Sequence, residues 1–182
     1  MRLVAATLLA CLLITAGAGQ SAAPGITQRP VINEILVNPE GTDRGNEWVE
    51  LYNPTPLVVD LTGWMLVDNR GRTHALDGLT LLPEGLSKVL LDGHPFTGAQ
   101  LANSGGYLEL RDPTGEVEDR VRYGNAPFAG GTPAQPAPPS GWSLARAFVR
   151  GEDGWAFGGH ADWYLEEEPS PGEPNQMVLP YA

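Results

Sequence analysis

Short apolar runs separated by turn residues make up most of this chain. In residues 47–53, EWVELYN, the side chains alternate in direction as they do in a β-strand, and Glu50 shares one face with a tryptophan and a tyrosine. The sequence NPTP then reverses the chain, because proline cannot donate to a ladder. A second run, 57–67, contains Gly63, which is typical of a bulge. We therefore predict a wide, bulged hairpin.

The same pattern recurs from end to end. Further apolar runs lie at residues 31–37, 72–76, 79–82, 86–91, 107–111, 117–123 and 142–148. Turn residues separate these runs, and no stretch of ten residues has a helical period. The pattern predicts an all-β fold, a sandwich or a barrel of about seven to nine short strands.

The N-terminus differs from the rest of the chain. Residues 1–18 have one arginine, an apolar run and a small-residue end, which is the pattern of a secretory signal peptide. The run is too short to span about 30 Å of hydrocarbon, so we expect no membrane span after removal. Cys11, the single cysteine, lies inside this segment. We expect a secreted protein or a periplasmic or cell-surface one, without disulfides.

Composition shifts divide the remainder into four segments that form one domain. Residues 19–29 form a flexible leader, and 30–123 form the core of the sandwich. Residues 124–141, rich in proline and glycine, form a surface excursion. Residues 142–176 supply the last strand and an aromatic and acidic region whose proline-broken end should lie outside the sheets.

The charge balance bears on the class of partner. The chain has 11 basic and 22 acidic residues, for a net charge of −11. This charge argues against nucleic-acid binding driven by counterion release. Three arginines, Arg111, Arg120 and Arg122, are the exception to consider, because the last two share a strand face and would form a small basic patch.

Glu50 is the first candidate site residue. Because its strand face is aromatic, its carboxylate should be partly desolvated and needs a partner. We expect a fold-fixing ion pair with Arg146, in the last strand, or with Arg72. The alternative is a general base or metal ligand, which burial also favours.

Carboxylates near one end of the sandwich are candidate calcium ligands, because calcium takes six to eight oxygen ligands. They are Glu34, Asp43 and Glu47, with Glu40 and Asp60 nearby. No spaced calcium-loop signature is present, so scattered, solvated acids are the alternative. We expect no other cofactor, because no two histidines have metal-ligand spacing and no Gly-x-Ser-x-Gly setting occurs.

The irregular C-terminal region is unusually aromatic. It contains Trp142, Trp155, Trp163 and Tyr164. Flat amphipathic rings suit a carbohydrate or peptide platform. The alternative is that they cap the open end of the sandwich, where loops without disulfides need anchors.

The order of these segments resembles the lamin-tail domain family in its bacterial, exported form. The similar segments are 31–35 (VINEI), 46–53 (NEWVELYN), 60–64 (DLTGW), 101–106 (LANSGG), 108–112 (LELRD), 143–146 (SLAR) and 169–175 (PSPGEPN). The resemblance implies an immunoglobulin-like β-sandwich that serves as a non-catalytic interaction module. Bacterial relatives occur alone or fused to secreted nucleases or phosphatases.

The expected function is therefore binding of an extracellular or envelope protein or polysaccharide. Two alternatives remain open at this point. One is a small metal-dependent hydrolase that uses the acidic residues, and the other is a DNA-binding accessory domain of an exported system, which family analogy favours and charge opposes.

Overall fold

The computed structural model describes residues 29–91, 98–127, 133–151, 154–157, 163–175 and 178–180. These residues form strands and connecting turns without a helix. The strands are β1 (Val31–Leu36), β2 (Trp48–Tyr52), β3 (Val59–Asp60), β4 (Met65–Asp68), β5 (Thr73–Ala75), β6 (Thr80–Leu81), β7 (Leu86–Leu90), β8 (Gly105–Arg111), β9 (Val117–Gly124), β10 (Ser143–Arg146), β11 (Phe148–Gly151), β12 (Gly154–Phe157), β13 (Trp163–Glu166) and β14 (Val178–Pro180). The all-β prediction is confirmed. There are more strands than expected because several runs break into pieces of two to four residues.

Two antiparallel sheets form a sandwich. The five-stranded sheet has the order β13-β10-β1-β2-β7, and the four-stranded sheet has the order β5-β4-β8-β9. A β3-β6 ribbon and a small β12-β11-β14 sheet complete the described strands. Alternate apolar side chains of both large sheets fill the core, among them Ile35, Val49 and Leu144 of the first, and Leu66, Leu110 and Val121 of the second.

The predicted hairpin of 47–53 with 57–67 is wrong. β2 pairs with β1 and β7, whereas β4 pairs with β5 and β8 in the other sheet. A turn separates β3 from β4, where the Trp64 amide donates to the Leu61 carbonyl and Gly63 has a φ of +80°. A Cβ at Gly63 would also lie 3.2 Å from Pro113. This glycine therefore turns the chain from the β3-β6 ribbon into the four-stranded sheet instead of bulging a continuous strand.

A buried ion pair joins the two sheets. Arg146 of β10 donates to Asp119 of β9 at 2.7 Å, and both side chains are fully buried. The register between β1 and β2 shifts between Ile32 and Glu34. There the Ile32 amide donates to Asp119 at 2.7 Å, and the Ile32 carbonyl accepts from Arg146 at 2.7 Å. The pair therefore satisfies backbone groups that the bulge removes from the ladder.

The C-terminal segment 169–175 covers the outer face of the five-stranded sheet. The Ser170 amide donates to Glu34 at 3.2 Å, and the Gly172 amide donates to Glu50. Asn175 donates to the Arg146 carbonyl at 2.7 Å. This cover accounts for the burial of Glu50, whereas Tyr52 packs against Val31 and Leu86, and Lys88 lies over the Trp48 ring. The segment is not a strand, yet it is part of the packed domain.

No helix in the described part of the chain is long and apolar enough to cross a membrane.

Candidate functional site

Buried carboxyl groups gather under the C-terminal cover. Glu34 lies opposite Glu50 across β1 and β2, and Glu166 lies opposite Ser143 across β13 and β10. All three glutamates are buried. Burial raises the pKa of Glu34 to about 7, and burial also raises the pKa of Glu50, although the Gly172 amide and Asn33 partly offset the latter. Ser143 and the Ser170 amide donate to Glu34 Oε1, whereas Glu34 Oε2 is buried without a hydrogen-bond partner among the described residues. The carboxyl groups therefore serve mainly the packing of the sheet.

Glu50 does not take the ion-pair role predicted for it. Its carboxylate accepts from Asn33 Nδ2 at 2.8 Å and from the Gly172 amide, and Lys88 faces it across β2 and β7. Each predicted arginine has another carboxylate partner: Arg146 has Asp119, and Arg72 has Asp68, with Nη2 2.6 Å from Oδ2. The predicted burial of Glu50 is confirmed. Its expected partners are corrected, because a sequence does not reveal which strands become neighbours.

The candidate calcium ligands are dispersed, so that expectation is also corrected. Glu34 lies beneath the C-terminal cover, whereas Asp43 and Glu47 lie at one end of the sandwich. Asp60 accepts from the Thr62 amide within its own turn at 2.9 Å. Glu40 lies beside Gly141. Within the described ranges, no group of three histidine, cysteine, aspartate or glutamate side chains has an arrangement that would hold a metal ion.

The aromatic residues do not share one surface. Trp163 packs against the core, and the Arg146 guanidinium lies 4.4 Å from its ring centroid. Tyr164, the next residue of β13, points to the opposite face and donates to Glu166 at 3.0 Å. Trp142 is half-buried before β10, and the side chain of Trp155 lies outside the described part. Trp163 therefore contributes to the packing of the domain.

The three arginines of the suggested basic patch are neighbours on β8 and β9, but they have internal partners. Arg111 and Arg120 both form salt bridges with Glu109, which is buried. Arg122 donates to the Ala126 carbonyl at 2.8 Å and to the Pro127 carbonyl at 3.0 Å. These bonds stabilise the outer face of the four-stranded sheet.

A cleft of about 320 Å³ lies at one end of the sandwich. Three loops form it, those between β1 and β2, between β4 and β5, and between β7 and β8. It is lined mainly by polar residues, although their carbon atoms contribute more of the lining surface than their polar atoms do; the residues are Asp43, Arg44, Glu47, Asn69, Arg70, Arg72, Gln100, Leu101, Ala102 and Asn103. Asp43, Glu47 and Arg72 are predicted from the sequence, but for other roles. Leu101, Ala102 and Asn103 belong to segment 101–106, which resembles the lamin-tail family, and only the meeting of the loops identifies the other four residues.

Hydrogen bonds between the loops hold the cleft in shape. Asp68, at the end of β4, accepts from Arg72 Nε at 2.7 Å and from the Gln100 amide at 3.2 Å. Glu47 accepts from the Leu101 amide at 3.1 Å. Asp43 accepts from Asn103 Nδ2 at 3.0 Å, so that all three loops are linked. Such links reduce the ordering cost that a ligand would otherwise meet.

The charges of the cleft differ between base and rim. The pKa of Glu47 is raised to about 7. Burial is the main cause and Asp43 adds to it, whereas the Leu101 amide and Arg72 oppose the shift. The side chains of Arg44 and Arg70 are exposed at the rim, and neither guanidinium group has a hydrogen bond or ion pair with another described residue. The arrangement suits the binding of an anionic, polar group.

Comparison with known proteins identifies a family. No curated protein matches the chain. A family model described as Lamin Tail Domain matches residues 25–125, more than half of the chain and all of β1 to β9. β10 and the segment 169–175 lie beyond this match, yet they pack against β1 and β2. The chain belongs to the lamin tail domain family, whose immunoglobulin-like domains are not enzymes.

Proposed function

We propose that this protein is an exported, non-catalytic binding module that engages an extracellular or envelope protein or polysaccharide through the cleft at the end of its sandwich. Family membership supports an interaction role. The predicted signal peptide at 1–18, which lies outside the described residues, supports export.

One observation carries this proposal: the arginines of the sheets form ion pairs within the domain, whereas two arginines at the rim of the cleft do not. In the sheets, Arg146 pairs with Asp119, and Arg111 and Arg120 pair with Glu109. At the rim of the cleft, Arg44 and Arg70 have no such partner among the described residues. Charged groups of the sheets thus stabilise the domain, whereas those of the rim remain available to a partner.

The test is capture from envelope fractions by the exported protein carrying a C-terminal tag. Wild type should retain a defined component, and Arg44→Gln/Arg70→Gln should lose it, because the rim charges make the contact. The control is Arg29→Gln/Lys88→Gln, which removes the same charge at two exposed positions that do not line the cleft. Both variants should unfold cooperatively. Any loss of stability is expected in the control, which removes the contacts of Arg29 with Glu118 and of Lys88 with the Trp48 ring.

Parallel arms separate this function from its alternatives. Captures with a calcium chelator and with a nuclease should match the untreated one, and the protein isolated from the cell should begin near Gly19. Retention of the component by the cleft variant would overturn the assignment of the site. A requirement for calcium or for DNA would favour the metal-dependent or the nucleic-acid alternative.

A further inference from the structure

We propose that protonation of Glu34 controls an arch formed by residues 169–173. The arch stays closed over the outer face of the five-stranded sheet while this carboxyl group is neutral, and it opens more readily once the group is ionised. The arch lies between two anchored points. Before it, Glu166 belongs to β13, and after it, Asn175 is buried and donates to the Arg146 carbonyl at 2.7 Å. None of these residues lines the cleft, so the inference is independent of the proposed function.

Two backbone amides of the arch donate to buried carboxyl groups. The Ser170 amide donates to Glu34 Oε1 at 3.2 Å, and the Gly172 amide donates to Glu50 Oε2. Ser170 Oγ also lies 3.4 Å from Glu166 Oε2, which is long for a hydroxyl donor. Because these three contacts all end on carboxyl groups, the ionisation of those groups affects how firmly the arch is held.

Glu34 has a buried oxygen atom that no donor reaches. Its side chain is fully buried, Oε1 accepts from Ser143 and from the Ser170 amide, and Oε2 has no hydrogen-bond partner among the described residues. An ionised carboxylate shares its charge between both oxygens, and leaving one of them without water or a donor costs far more than it does in the neutral acid. Lifting the arch admits water to this oxygen, so opening favours the ionised form.

The charges around Glu34 also oppose its ionisation in the closed form. On the outer face, the titratable side chains of the neighbouring strands are Glu50 and Tyr52 of β2, Lys88 of β7, and Tyr164 and Glu166 of β13. Glu166 and Glu50 add to the effect of burial on the pKa of Glu34. Lys88 lies opposite Glu50, one strand further away. Arg146, the other cation of these strands, lies on the core face in its buried ion pair, and the arch has one charged side chain, an exposed glutamate.

The sign of the pH dependence follows from the two forms. In the closed form burial raises the pKa of Glu34 to about 7, whereas in the open form water returns it towards the ordinary value of 4.5. Between these values opening releases a proton, so the open fraction increases as the pH rises. The open form presents a row of three acids, Glu50, Glu34 and Glu166, to solvent.

The experiment is hydrogen exchange of the Ser170 and Gly172 amides at pH 6 and pH 8, with each rate divided by the intrinsic rate at that pH. Protection of both amides should fall about tenfold from pH 6 to pH 8, as a change in the pKa of Glu34 from about 7 to 4.5 on opening requires. Amides bonded between β8 and β9 should be better protected than the arch at both pH values, because the arch opens while the sheets stay folded.

Variants connect the opening to Glu34. Glu34→Gln keeps an acceptor for the Ser170 amide but cannot ionise, so protection of the arch should agree within about twofold at the two pH values. Glu47→Gln is the matched control, because burial also raises the pKa of Glu47 to about 7 but this residue lines the cleft, so the tenfold change should persist. Ser143→Ala removes a donor to Glu34 and should move the midpoint of the change to a higher pH, which keeps the test open if Glu34→Gln does not fold.

Several outcomes would overturn the inference. Equal protection of the wild-type arch at pH 6 and pH 8 would show that no proton is coupled to opening, and a tenfold change that survives in Glu34→Gln would assign the proton to another group. Arch amides as well protected as those of β8 and β9 would show that the arch does not open by itself. Restored protection at pH 8 on addition of calcium at about 1 mM, the range of weak extracellular sites, would replace the proton-controlled arch with a cation site.

Discussion

At the scale of single residues, Arg146 and Asp119 make the contacts that affect the fold most. Both side chains are fully buried, and together they hold the amide and the carbonyl of Ile32 at the bulge of β1. A buried ion pair gains little over a well-packed apolar pair, because both charges lose their hydration. Removing one partner is different, since the other charge then stays buried without compensation.

We predict that Asp119→Asn and Arg146→Lys each lower the free energy of unfolding by about 3–5 kcal/mol, the range for breaking one side of a buried pair. Chemical denaturation followed by tryptophan fluorescence measures this loss. Arg44→Gln is the control, because Arg44 is exposed and its guanidinium has no ion pair with another described residue, and its midpoint should equal that of wild type. Equal midpoints for all three variants would contradict a structural role for the buried pair.

At the scale of elements, the segment 169–175 behaves as a fixed part of the five-stranded sheet. It has two proline residues before Gly172 and no ladder of its own, but its backbone amides reach Glu34 and Glu50. Asn175 then joins the segment to β1 and β10 through Asn33 and the Arg146 carbonyl. The segment keeps water from carboxyl groups that would otherwise be solvated.

We predict that Asn175→Ala lowers the free energy of unfolding by roughly 1–3 kcal/mol, because it leaves buried backbone carbonyls without a donor. It should also speed hydrogen exchange of the amides of β1 and β10. Glu173→Ala, an exposed change in the same segment, is the matched control and should do neither. If both variants exchange alike, the segment is not anchored at Asn175.

At the scale of the whole molecule, buried carboxyl groups make the stability of the fold depend on pH. Glu34 and Glu47 lie in different parts of the sandwich, and burial raises the pKa of each to about 7 from an ordinary value of 4.5. Between these two values the folded protein holds protons that the unfolded chain has released. The contribution of these two groups to the free energy of unfolding is therefore fully present below about pH 4.5, and it is lost as the pH rises through 7.

We predict a higher melting temperature at pH 5.5 than at pH 8, with each carboxyl contributing roughly 1–3 kcal/mol of the change. Glu34→Gln should raise the melting temperature at pH 8 and change it little at pH 5, because the wild-type carboxyl is already protonated there. Calorimetry over this pH range is the measurement. If Glu34→Gln lowered the melting temperature equally at pH 5 and pH 8, ionisation of the buried carboxyl would not be the cause of the pH dependence.

Some of this could be predicted from the sequence because it depends on neighbours in the chain. Alternation and turn residues predict the all-β class, which is confirmed. Neighbouring runs also pair across short turns, as β8 does with β9 and β4 with β5. The segment boundaries at residues 18 and 29 stay predictions.

The sequence by itself determined the all-β class, the family and the burial of Glu50, since alternation and turn chemistry act over a few residues. Only the tertiary structure decided which sheet each strand joins and which carboxylate each arginine meets. The bonds that settle this span the chain, with Ile32 reaching Asp119 across 87 positions and Arg146 across 114. The cleft depends on the same long-range packing, because its three loops become neighbours only when the two sheets meet.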